Sequence, residues 1–121
     1  MKLDISEFAH HKLHVFEPSM QIAEAAKRIS DELSSSYKRI SDQLFRASVA
    51  IPLLIGEGAN RATTGRKRQR FSEARGETGE VAVALELLIR LGLLSEEEGI
   101  PLIETCAQVG KMLTGLIKAN R

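Results

Sequence analysis

The spacing of small and apolar residues between Phe71 and Leu88 constrains this fold most. Phe71, Ala74, Thr78, Val81, Leu85 and Leu88 follow one another in alternating steps of three and four. Over about five turns of a 3.6-residue helix such a set lies on one face, whereas a strand would scatter it over both. The same alternation recurs in Leu102, Cys106, Val109, Leu113 and Leu116, and in Ile22, Ala26, Ile29 and Leu33. It recurs once more in Leu44, Ala47 and Ile51, continuing to Leu54 or Ile55 and then Gly58. Four amphipathic helices are therefore expected, over about Pro18–Ser34, Ser41–Asn60 and Arg66–Leu91, and from Ser95 onward.

Local signals set those boundaries. Pro18 suits a first turn, and the run Ser34-Ser35-Ser36 reads as an exit. Ser41 offers a capping hydroxyl to the second helix, inside which Pro52 removes one backbone hydrogen bond and predicts a kink. Thr63-Thr64-Gly65 forms a turn, and Gly92 ends the third helix. Ser95 before Glu96-Glu97-Glu98 supplies an N-cap followed by acids where the helix dipole favours them. Four such helices with short links predict an all-α, up-down-up-down four-helix bundle. A chain of 121 residues with 43% hydrophobic content suits one domain over residues 1–121, with residues 1–15 as an N-terminal arm. Five Phe or Tyr residues and no Trp leave a core of Leu, Ile, Val and Ala.

Apolar residues beside the main stripes (Ile89, Leu93, Leu94, Ile103 and Ile117), and off them (Val49, Leu53 and Val83), exceed what a lone bundle needs. They point to self-association. The longest mainly apolar run, Ala47–Ile55, is too short to cross a bilayer, and MKLDISEFAHHK lacks the apolar centre of a signal peptide. The single Cys106 excludes an internal disulfide and suits a reducing, cytoplasmic setting.

Charge is uneven. Residues 1–45 carry six basic and seven acidic groups, residues 46–75 seven and two, and residues 76–121 four and seven. The middle third thus stands at +5 in a chain whose net charge is +1. Within it, Arg61, Arg66, Lys67, Arg68 and Arg70 are uninterrupted by any acid.

Gln43-Leu44-Phe45-Arg46-Ala47, Ile55-Gly56-Glu57-Gly58 with Arg61, and Phe71-Ser72-Glu73-Ala74-Arg75-Gly76 with Glu80 carry a further signal. With Lys111-Met112-Leu113 and Leu116-Ile117, these segments resemble the bacterial family of small four-helix-bundle proteins encoded in 23S rRNA intervening sequences. That family is related to the accessory protein of diversity-generating retroelements. The resemblance runs from about Val15 to the C-terminus. It implies a ring-shaped homopentamer with a nucleic-acid-binding role. The chain departs from the family's usual pattern at Leu54 and Gly56, where Asn and Ala are usual, and at Glu77, where Ser is usual.

The candidate nucleic-acid-binding residues are Arg61, Arg66, Lys67, Arg68, Arg70 and Arg75. Lys and Arg at a hairpin tip neutralise phosphates without reading bases. A solvated basic turn, or one paired with acids of a neighbouring subunit, fits the same residues. Gln43, Arg46, Glu57 and Glu80 are expected to form a polar network fixing the register of the second and third helices. Glu57 has Arg61 four residues on and Arg70 opposite, and Arg46 lies near Glu80 or Glu77. Gly56, Gly58, Gly76 and Gly79 are expected to permit close helix approach. His10 and His14 would face the same way on a helix, but no carboxylate pair or Cys completes a metal set, so a flexible or partner-packed arm is expected there. No nucleophile–base pair or cofactor motif can be assembled, which leaves catalytic residues, metals and cofactors without candidates. Two readings stay open: a non-enzymatic homo-oligomer binding RNA or DNA, and a scaffold for another protein.

Overall fold

A computed structural model describes residues 8–121. Four helices account for most of them: α1 (Phe16–Glu32), α2 (Lys38–Ala59), α3 (Thr64–Arg90) and α4 (Glu96–Ala119). Short 3-10 turns at Ala9–Lys12 and Ser35–Tyr37 precede α1 and α2, and no strand occurs among the described residues. Each helix packs on the next in the chain, and the α1–α4 seam is the loosest. The expected four-helix bundle is the observed fold.

The three-four stripes form its centre. Ile22, Leu44, Ile51, Ile55, Val81, Leu85, Leu88, Val109 and Leu113 are fully buried, with Phe71 and Cys106 almost so. Removing each large apolar side chain from water contributes about 1.5–3 kcal/mol, so these residues outweigh any surface contact. Three hydroxyls share the core. Ser19, Ser48 and Thr78 each donate to a carbonyl of the preceding turn, at Phe16 (2.6 Å), Phe45 (2.9 Å) and Ala74 (2.8 Å). Bonded in this way, a buried hydroxyl avoids the penalty of an unpaired polar group.

The helix ends follow their signals with two exceptions, the start of α2 and the expected turn Thr63-Thr64-Gly65, whose last two residues belong to α3 while Thr63 caps it. The Thr63 and Ser95 hydroxyls accept from the backbone N–H groups of Arg66 and Glu98, three residues on. Gly92, at φ 73°, closes α3; its own N–H reaches the Ile89 carbonyl and the Leu93 N–H reaches Leu88. That is the paired pattern of a left-handed glycine cap. Ser41 does not cap α2, which starts three residues earlier at Lys38. Its hydroxyl instead donates to the Ser30 carbonyl while Ser30 donates to the Ser41 carbonyl, both at 3.2 Å, clamping α1 to α2. Helix α2 runs unbroken through the buried Pro52. Helix α4 likewise contains Pro101.

Other expectations change. Ile89, Leu93, Ile103 and Ile117 pack against this chain's own core, and Leu94 is buried, because α3 and α4 press broadly together. Leu53 and Val83 are exposed as expected, and Leu87, Leu91, Tyr37, Phe45, Ile100, Met20 and Met112, with Phe8, are exposed as well. Among the central glycines only Gly58 marks a close approach: a Cβ there would lie 2.8 Å from Phe71 Cε1. Gly56, Gly76 and Gly79 face open space within the chain. The part of the N-terminal arm that is described turns back on the bundle. Rings of Phe8, His10, His11 and Phe16 cluster with centroids 4.3–6.1 Å apart, and His10 Nδ1 lies 3.1 Å from Asn60 Nδ2. His14 takes no part in this cluster, so the shared face expected for His10 and His14 is not formed. No group of three metal-binding side chains occurs among the described residues.

Candidate nucleic-acid interface

The basic run opens α3, and it opens it where two other helices end. Helix α2 ends at Ala59 and α4 at Ala119, so carbonyl-rich, negatively polarised termini meet the first turn of α3. Two cations are used there. Lys67 Nζ donates to the Ala59 carbonyl at 2.8 Å, and Arg68 Nη1 donates to the Asn120 carbonyl at 2.7 Å. About two turns beyond Arg68, Arg75 Nη1 donates to Thr114 Oγ1 on α4 at 3.2 Å. These three side chains join α3 to its neighbours.

The other three meet elsewhere. Arg61, Arg66 and Arg70, with Gln69, line a notch of about 270 Å³ at the hairpin tip. Arg66 and Arg70 are one helical turn apart on α3, and Arg61 comes from the turn after α2. Arg70 is anchored, its Nη1 2.9 Å from Glu73 and its Nε 3.4 Å from Glu57. Gln69 Nε2 reaches the same Glu73 carboxylate at 3.4 Å. Among the described residues, the guanidinium groups of Arg61 and Arg66 have no hydrogen-bond or ion-pair partner. The expected Glu57–Arg61 helical pair does not form, because α2 has ended before Arg61.

The polar network lies further along the α2–α3 face. Arg46 Nη2 is 2.8 Å from Glu80 and 3.4 Å from Glu77, and Gln43 Nε2 stands 3.5 Å from Glu80. Hydrogen bonding to Glu77, then its charge, raises the Arg46 pKa further above its ordinary value. Arg46 and Glu80 are exposed, so the network contributes register more than stability. Glu57 takes part through Arg70 and so belongs to the notch end of the same seam.

Two apolar grooves complete the surface. One of about 910 Å³ runs between α2 and α3, lined by Tyr37, Ile40, Val83, Ala84, Leu87 and Leu91. The other, of about 660 Å³, lies between α1 and α2 around Met20, Val49, Pro52 and Leu53, with His10 and Asn60 at its edge. Sequence reasoning singled out Val83, Val49 and Leu53 but missed Leu87 and Leu91, which continue Val83 at four-residue steps.

With the geometry in hand, comparison with known proteins decides the family. The family described as 23S rRNA-intervening sequence protein matches residues 11–115. The chain belongs to that family. Its fold also matches the crystal structure of a protein of unknown function from the S23 ribosomal protein family of Bacteroides thetaiotaomicron. That match has a TM-score of 0.79 at 22% identity and covers 86% of this chain and 98% of the other. At that identity the likeness speaks for the fold alone. No curated protein matches this family member. No described helix is long and apolar enough to cross a membrane.

Proposed function

We propose that this family member is a non-enzymatic, homo-oligomeric protein that binds RNA or DNA through the basic end of its α2–α3 hairpin, with little preference for sequence. The observation that carries this reading is the tip itself. Three guanidinium groups line one notch, two of them without a partner among the described residues, in the stretch where the chain concentrates its positive charge. Contacts of Arg with phosphate oxygens supply affinity without base readout, and the notch lining holds no aromatic ring on which a base could stack. Repetition of the tip around an oligomer, the homopentamer that the resemblance implies, would turn weak single contacts into avidity. Self-association is supported by the two apolar grooves, which lie on opposite sides of α2. Cytoplasmic residence goes with this reading.

One observation favours a second reading, a scaffold that assembles or docks another protein without nucleic acid. Lys67, Arg68 and Arg75 are already engaged within the chain and Arg70 is ion-paired with Glu57 and Glu73, so four of the six candidate cations already have partners. Labelled structured RNA and duplex DNA, titrated across a salt series with mass followed by light scattering, separate the two. Binding that falls steeply with salt while the mass stays that of several subunits supports the first. An oligomer that binds neither nucleic acid at low salt leaves only the second.

A further inference from the structure

We infer that the notch formed by Arg61, Arg66, Gln69 and Arg70 is a seat for one backbone phosphodiester of a nucleic acid, and that the rest of the basic run is structural. The inference rests on the nucleic-acid reading above and divides its six cations into two sets with different work. Lys67 and Arg68 satisfy carbonyls at the ends of α2 and α4, and Arg75 is tied to α4. Each of these bonds takes up part of the side chain's donor set and holds it toward a neighbouring helix. Arg61 and Arg66 give up no bond to any described residue.

The notch also has the form a phosphodiester needs. Donors approach from two elements, the turn after α2 and the first turns of α3, so they surround a tetrahedral group instead of gripping one planar edge. Glu73 holds both Arg70 and Gln69, which fixes two of the four lining side chains before any ligand arrives. Glu57 and Glu73 offset two of the three guanidinium charges and leave the notch one positive charge in excess. A phosphodiester carries one negative charge, whereas a terminal phosphate carries nearly two. The amino end of α3, with its positive dipole, lies beside the notch and adds to the attraction.

The test is a comparison of salt slopes for duplex DNA and structured RNA. Each phosphate contact to a duplex contributes about 0.9 to the slope of log K against log salt. Replacing both Arg61→Gln and Arg66→Gln is expected to weaken binding at low salt at least tenfold and, with one phosphate lost, to flatten the duplex slope by about 0.9. The pair Arg68→Gln with Arg75→Gln is expected to leave the slope unchanged, whatever it does to the melting temperature. Circular dichroism verifies that both variants remain helical. A slope unaltered by R61Q/R66Q, or flattened equally by the second pair, overturns the division while the binding function stands. Failure of the unaltered protein to bind either nucleic acid overturns the underlying reading and the notch with it. Tighter capture of poly-glutamate than of nucleic acid, lost in R61Q/R66Q, makes the notch a carboxylate site and also overturns the inference.

Discussion

At the scale of single residues, two side chains report on burial through their protons. Burial, and secondarily the adjacent His11, hold the His10 imidazole below its ordinary value of 6.5. The folded chain therefore binds this proton less readily than the unfolded one, so stability from His10 is present above pH 6.5 and falls as pH drops through that value toward the folded pKa. Protonation would also oppose the contact of Nδ1 with the Asn60 amide, since both groups would then be donors. Urea midpoints measured between about pH 7.5 and 5.5 are expected to fall further in the unaltered protein than in His10→Gln. Parallel lines for the two proteins would contradict it. Cys106 gives the complementary case: burial pushes its thiol up to about 12. Since the thiolate is the reactive form, iodoacetamide at neutral pH is expected to label Cys106 in urea and to spare it in buffer. Equal rates in both would mean that the α4 seam is open.

At the scale of helices, glycines separate what the sequence discloses from what it conceals. Gly58 and Gly76 look alike in the sequence, each on a central helix and each costing up to about 1 kcal/mol relative to Ala. In the fold they have opposite roles. A methyl group at Gly58 would press on Phe71 Cε1 and come within 3.2 Å of Arg70 Cβ, whereas one at Gly76 meets nothing within 4 Å. Gly58→Ala is therefore expected to destabilise by about 1–3 kcal/mol, and Gly76→Ala to stabilise by up to about 1 kcal/mol. Thermal melts of the two variants should move in opposite directions from the unaltered protein; movement in the same direction would show that helix propensity alone decides both. The helices themselves were legible because Phe71–Leu88 and its counterparts repeat one spacing, and spacing is a local property. The start of α2 was not, because Ser41 has the residue type of a cap but is used to clamp α1. The basic tip was legible as charge. Its division was not, since Arg68 finds its acceptor 52 residues away at Asn120, a contact made only by the packing of α4.

At the scale of the whole molecule, the placement of the apolar surface bears on the type of assembly. The α2–α3 groove exposes Val83 at 63%, Leu87 at 45% and Leu91 at 58%, and the α1–α2 groove exposes Leu53 at 61%. Side chains of this size in water are unfavourable by about 25 cal/mol per Å² of apolar surface, so a second copy covering them gains stability. Two unlike patches on opposite sides of one helix suit a head-to-tail contact, in which the groove of one copy receives the other face of the next. Contacts of that kind close into a ring where the rotation between copies permits and otherwise run on as a filament, whereas a two-fold dimer would pair one patch with itself. Substitution distinguishes the two. Leu87→Glu removes one face and Leu53→Glu the other, and because both side chains are exposed the bundle should remain folded. In a head-to-tail ring each variant alone is expected to sediment as a monomer, since every contact needs both faces. Mixed together, the variants retain one intact face each and are expected to form a one-to-one dimer that cannot grow further. A two-fold dimer built on the α2–α3 groove would instead leave Leu53→Glu dimeric by itself and give nothing new on mixing. Analytical ultracentrifugation of the two variants and their mixture therefore reads the symmetry of the contact directly, without a structure of the assembly.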